Sequence, residues 1–96
     1  MSHIVIDRSH HLTLDQSRQA AETLAAQLAD HYHIHYHWQG DSLHFERSGV
    51  SGHIVLEPGQ VRINARVGFL LLPLKHRLEQ AIHRYLDDVF EEHRPA

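Results

Sequence analysis

The sequence contains no cysteine, and its 96 residues include only three prolines and five glycines. The missing thiols exclude a disulfide framework, a thiolate zinc site and a cysteine nucleophile. Long hydrophobic runs are missing too: the longest, Phe69 to Leu72, is closed by Pro73. A membrane-crossing helix needs roughly twenty apolar residues, so no span is expected. An excess of positive charge is also lacking. Nine Lys and Arg stand against twelve Asp and Glu, a net charge of −3. That is the wrong sign for a domain that binds nucleic acid through its phosphates. The opening Met1 to Arg8 has strand-like alternation and no basic head before a hydrophobic stretch. This argues against a secretory signal and for the cytoplasm.

What is present suffices for one core. Apolar residues make up 42% of the chain, and a chain of this size buries roughly two-thirds of its unfolded surface. We read a single domain over 1–96, with an ordered core from about 3 to 92. The unusual component is histidine, with twelve side chains scattered along the sequence. Imidazoles titrate near neutrality, so the surface charge is expected to depend strongly on pH.

Period-two alternation from His3 to Arg8 puts Ile4 and Ile6 on one side of a short strand. Thr13-Leu14-Asp15-Gln16 fits a capping box, and the following helix runs to about His31. Leu14, Ser17, Ala21, Leu24, Ala25, Leu28 and Tyr32 share one arc of it. Alternation then resumes, with Tyr32, Ile34, Tyr36 and Trp38 facing one way and His31, His33, His35 and His37 the other. Gly40-Asp41, Ser48-Gly49 and Pro58-Gly59 signal turns between strands that carry Leu43 and Phe45, then Ile54 and Leu56, then Val61 to Val67 inward. A second helix begins near Pro73, with Leu71, Leu74, Leu78, Ile82, Tyr85, Leu86 and Val89 as its core stripe. The fold class is α+β, in the order β-α-β-β-β-β-α. The sheet is an antiparallel meander with both helices packed on one face, because nothing else can cover its apolar side. Whether the first strand joins the second or the last is left open by these patterns.

If the three turns are two residues long, counting places His37 opposite His44, His44 opposite His53, and His53 opposite Asn64, all on the wet face. Neighbouring strands lie about 4.8 Å apart, within chelating reach for zinc, copper or nickel. His33 and His35 extend the patch. A solvated sheet face explains these residues as well. We therefore expect His37, His44 and His53 to take up added metal weakly and adventitiously. His76, Glu79 and His83 share a helical face but read as a surface pair rather than a dyad. No serine lies in a nucleophile elbow, and Gly49-Val50-Ser51-Gly52 is too short for a phosphate loop. Gly52 would mark a bulge or a close approach of a helix.

An apolar surplus remains. Leu72 and Phe90 project off the core stripe of the second helix, and Phe69 and Leu70 precede it. They either plug the end of the core or form an exposed patch for a partner, a second copy or a lipid-like surface.

Three segments in order are similar to the polyhydroxyalkanoic acid system protein family. They are His3-Ile-Val-Ile-Asp-Arg-Ser-His10, then Leu43-His-Phe-Glu-Arg with Gly49-Val-Ser-Gly52, then Gly68-Phe-Leu-Leu-Leu-Pro-Leu-Lys75. The resemblance runs from about His3 to Leu86 and rests on the ordered set, not on any one motif. It implies small bacterial proteins encoded among polyester-storage genes or found with the granules, and it carries no catalytic residue or cofactor to transfer. The histidine stripe is no part of that pattern.

The expected function is a non-catalytic, granule-associated or regulatory protein of polyhydroxyalkanoate metabolism, without a cofactor. Phe69, Leu70 and Leu72 would supply its association surface, and its place would be the cytoplasm at the storage-granule surface. Its partner would be that surface, a granule protein or a second copy, with no nucleic acid and no membrane span. The alternative class is a small helix-grip-like binder of acyl or lipid-like ligands. Less favoured is a histidine-rich metal-binding protein.

Overall fold

A computed structural model describes residues 2–93. Strand β1 (Ser2–Ser9) leads into helix α1 (Leu14–Tyr32). The meander β2 (His35–Gln39), β3 (Ser42–Arg47), β4 (Val50–Glu57) and β5 (Gln60–Val67) follows, then a short 3₁₀ turn (Phe69–Leu71) and helix α2 (Leu72–Glu92). The five strands form one antiparallel sheet in the order β1-β5-β4-β3-β2. The first strand thus pairs with the last, the point that patterning left open.

The capping box forms as expected. The Gln16 amide donates to Thr13 Oγ1 at 3.1 Å, and Gln16 Oε1 accepts from the Thr13 amide at 3.0 Å. Two helix amides are thereby satisfied. Ser17, Ala21, Leu24, Ala25 and Leu28 are buried, but Leu14 at the first helical position is half exposed, and Leu12 just before the cap is buried instead. The helix ends at Tyr32, with His33 in the left-handed region (φ 58°, ψ 38°). His33 therefore belongs to a helix cap and not to the strand, and it drops out of the histidine patch. Arg47 Nη1 donates to the Tyr32 carbonyl at 2.9 Å, which satisfies one of the carbonyls freed at the helix end.

The inner face of the sheet is dry. Ile4, Ile6, Leu43, Phe45, Val50, Ile54, Leu56, Val61, Ile63, Ala65 and Val67 are buried beneath the two helices, with Leu78, Ile82 and Leu86 of α2. Tyr36 and Trp38, on edge strand β2, face the core side as their parity implies and pack against its rim, half-buried. Their polar ends reach Glu22 of α1: Trp38 Nε1 donates to Oε1 at 2.8 Å, and the Tyr36 hydroxyl donates to Oε2. The Arg18 guanidinium lies 4.1 Å over the Trp38 ring and donates to the Gly40 carbonyl at 2.8 Å. Edge strand β2 is thus clamped to α1. Tyr85 Oη, donating to the Ala20 carbonyl at 2.7 Å, ties the two helices together.

Gly52 marks neither a bulge nor a helix contact. Its pairing with Phe45 and Ala65 is regular. A Cβ there would lie 2.3 Å from the Asn64 carbonyl oxygen and 2.8 Å from the Phe45 ring, so the ring occupies the space that a side chain would need. Phe90 is also reassigned: it packs against the core, 5.3 Å from the His10 ring and 5.3 Å from the Arg8 guanidinium.

Leu78 is almost wholly buried. Leu78→Ala should therefore cost about 2–5 kcal/mol in urea melts. A loss below about 0.5 kcal/mol, the range of a surface change, would contradict the assigned stripe.

Candidate functional site

The outer face of the sheet carries no helix, and the counted registers are those of the fold. His37 pairs with His44, His44 with His53, and His53 with Asn64. The imidazoles stand in a row. The His37 and His44 rings stack with centroids 5.5 Å apart and planes 15° from parallel, and the His44 and His53 centroids are 5.7 Å apart with a 40° tilt. An open concavity of about 570 Å³ lies above the row, bordered by His3, Glu46, Asn64 and Arg66. Among the described residues, no group of three His, Asp or Glu side chains is arranged to hold a metal ion. The His76, Glu79, His83 constellation does not act as a unit. His83 Nδ1 faces Arg8 Nη1 at 3.4 Å, and Arg8 is paired with Asp87 at 2.7 Å.

The second candidate is the junction of β5 and α2. Gly49 in the β3–β4 turn has φ +88°, and a Cβ there would lie 2.7 Å from Leu71 Cδ1. The absent side chain leaves Leu71 a seat against the turn. The Gly68 amide donates to the Gly49 carbonyl at 2.7 Å, and the Leu71 amide donates to the Gly68 carbonyl at 3.0 Å. With both ends of the 3₁₀ turn fixed and Leu71 facing inward, Phe69 and Leu70 point to solvent. They are 76% and 87% exposed, and Leu72 is 39% exposed. The sequence patterns left two readings for these residues, a core plug or a surface patch; Phe69 and Leu70 lie on the surface. Among the described residues, the nearby Arg66, Lys75 and Arg77 take part in none of the ion pairs.

The interior has little room for a ligand. The cavity between the helices and the sheet, lined by His10, Ser17, Tyr85 and Phe90 among others, holds about 20 Å³. That is space for about one water molecule. Concavities of several hundred Å³ lie instead on the open surface, one on the histidine-lined side and one of about 390 Å³ lined by Leu70, Leu71, Pro73, Leu74 and Arg77.

These features define a two-layer α+β protein with one uncovered polar sheet face and one exposed apolar tip. The model of the polyhydroxyalkanoic acid system protein family matches residues 4–90, and the chain belongs to that family. No curated protein and no solved structure matches it. Among the described residues, no helix is long and apolar enough to cross a membrane.

Among the described residues, Glu22, His10, Tyr36 and Tyr85 are displaced from their ordinary titration behaviour, and the first two bear on stability at neutral and acid pH. Hydrogen bonds from Tyr36 and then Trp38 hold the Glu22 carboxyl below its usual range. The clamp of β2 onto α1 is thus fully present above the ordinary carboxylate pKa and is lost as pH falls through the lower native value. His10 was singled out by no sequence signal. Its ring is buried, Nδ1 accepts from the Leu12 amide at 3.1 Å, and Nε2 has no partner within hydrogen-bonding geometry. Burial lowers its pKa from 6.5, and the Gln60 backbone opposes this only in part. Above 6.5 the ring is neutral in both states. As pH falls below 6.5, the unfolded chain takes up a proton that the native ring resists, and stability declines until the native pKa is passed. We expect the parent to lose more unfolding free energy between pH 7.5 and 5 than His10→Gln does, measured by urea melts at fixed salt. Equal losses would assign the pH dependence to other groups.

Proposed function

We propose that this protein is a non-catalytic component of polyhydroxyalkanoate storage in the bacterial cytoplasm, acting by association with the polyester granule surface through Phe69, Leu70 and Leu72. The observation that carries this reading is the fixed 3₁₀ turn, which holds Phe69 and Leu70 out at 76% and 87% exposure. Family membership supplies the polyester context. The turn is already ordered by Gly49 and Leu71, so docking would lose little conformational entropy. Each large apolar side chain contributes roughly 1.5–3 kcal/mol when fully buried, so the tip would add a weak, reversible attachment to an apolar phase. Arg66, Lys75 and Arg77 edge the tip and would stay in water beside the docked surface.

The test is Phe69→Ser combined with Leu70→Ser. Both side chains are exposed, so the variant should fold and melt within about 0.5 kcal/mol of the parent. Its partition onto isolated granules in co-sedimentation should fall by at least about tenfold, the loss expected from less than one fully buried side chain. A folded variant that sediments like the parent would rule out this surface. Light scattering distinguishes the other occupant: a parent dimer that the variant converts to a monomer, with granule binding unchanged, would show that the tip joins two copies.

A further inference from the structure

We infer that His37, His44 and His53 form a binding site for a late first-row divalent cation (zinc, nickel or copper), held by one cross-strand histidine pair at a time with His44 common to both pairs. Imidazole is a favoured ligand for these ions. With metal–nitrogen bonds of about 2.0–2.1 Å and near-tetrahedral angles, two imidazoles on one zinc hold their centroids roughly 5 Å apart. The observed separations, 5.5 Å for His37 and His44 and 5.7 Å for His44 and His53, are close to that value. The rings need only turn about their side-chain bonds to present nitrogens to one ion.

The backbone under the row is fixed. His37 lies between Tyr36 and Trp38, both hydrogen-bonded to Glu22. His44 lies between the buried Leu43 and Phe45, and His53 lies between Gly52, packed under the Phe45 ring, and the buried Ile54. Ligands carried on such strands lose little freedom when they bind. The open concavity above leaves room for water to complete the coordination.

The same geometry disfavours a three-histidine site. His37 and His53 are two strand spacings apart, about 9.6 Å, and the His44 ring stands between them. The lack of any converging group of three His, Asp or Glu side chains among the described residues agrees with this. The row therefore offers two overlapping pair sites and binds one ion. At the His37–His44 pair, Gln39 Nε2 lies 3.4 Å from His37 Nε2 and must move aside, so the His44–His53 pair is the freer of the two.

The test is calorimetric titration of the full chain with zinc chloride, comparing the parent with His37→Gln, His44→Gln and His53→Gln. Loss of a supporting partner alone costs metal sites 10–100-fold in affinity, so removing the shared ligand should cost at least about tenfold. His37→Gln and His53→Gln should each retain binding, because the other pair survives. His44→Gln binding as tightly as the parent would overturn the assignment. Equal losses in all three variants would show a convergent three-histidine site and overturn the paired arrangement. A readout on the parent alone guards against misfolded variants: substoichiometric copper should broaden the His44, His37 and His53 ring signals in NMR spectra first. Broadening that begins at other histidines would place the ion elsewhere.

Discussion

Three two-residue turns fix the register on which both faces of this sheet depend. Gly40, Gly49 and Gly59 take φ values of +60°, +88° and +72°, a region that side-chain-bearing residues seldom enter. Because side chains alternate from face to face, a slip of one residue at any turn would send a strand's core residues into water and its polar residues into the core. The inner face carries eleven buried apolar residues from four of the five strands, so such a slip is strongly opposed. The straight histidine row is the outer consequence of the same constraint. It is in register because Leu43, Phe45 and Ile54 are.

One of these turns has a second role. Gly49 closes the β3–β4 hairpin, and its missing side chain makes room for Leu71, while its carbonyl accepts from the Gly68 amide at 2.7 Å. The segment after β5 is therefore held to the sheet at Gly68 and at Leu71, and the two side chains between them, Phe69 and Leu70, have no inward place. Exposure of Phe69 and Leu70 is thus a product of local packing and not of a loose end. A side chain at position 49 would meet both a strained φ and the Leu71 methyl, so the apolar tip depends on glycine at that turn.

Most of the fold was legible because its signals are local and agree with one another. The Thr13–Gln16 capping box, the glycine at each hairpin and the parity of the strand residues all point to the same architecture. What was illegible rests on contacts distant in sequence. The pairing of β1 with β5 brings together residues about sixty positions apart, and no periodicity encodes that choice. Tyr36 and Trp38 share the parity of core residues, but only the strand order reveals β2 as an edge whose aromatics end on Glu22. Phe90 looked superfluous on a helical projection because its partners, Arg8 and His10, come from the other end of the chain. At the candidate sites the same division holds. Hairpin counting located the histidine row, whereas the choice between plug and patch for Phe69 and Leu70 needed the seat of Leu71.

The two surfaces are built from different elements and are separable in chemistry. The histidine row lies on β2, β3 and β4, and the tip lies on the 3₁₀ turn and the start of α2. Between them on the outer face runs the row His35, Glu46, Ser51, Arg66 and His3, polar or charged throughout. An apolar phase that receives Phe69 and Leu70 would have to desolvate Glu46 and Arg66 before it reached His44, and burying such charges is strongly unfavourable. Docking would therefore stop at the tip and leave the imidazoles in water. Conversely, an ion on the row adds positive charge to a face that contributes no side chain to the tip. The exposed side chains of each surface can be altered without disturbing the other, because Phe69 and Leu70 on the 3₁₀ turn and the histidines on β2, β3 and β4 lie on separate elements.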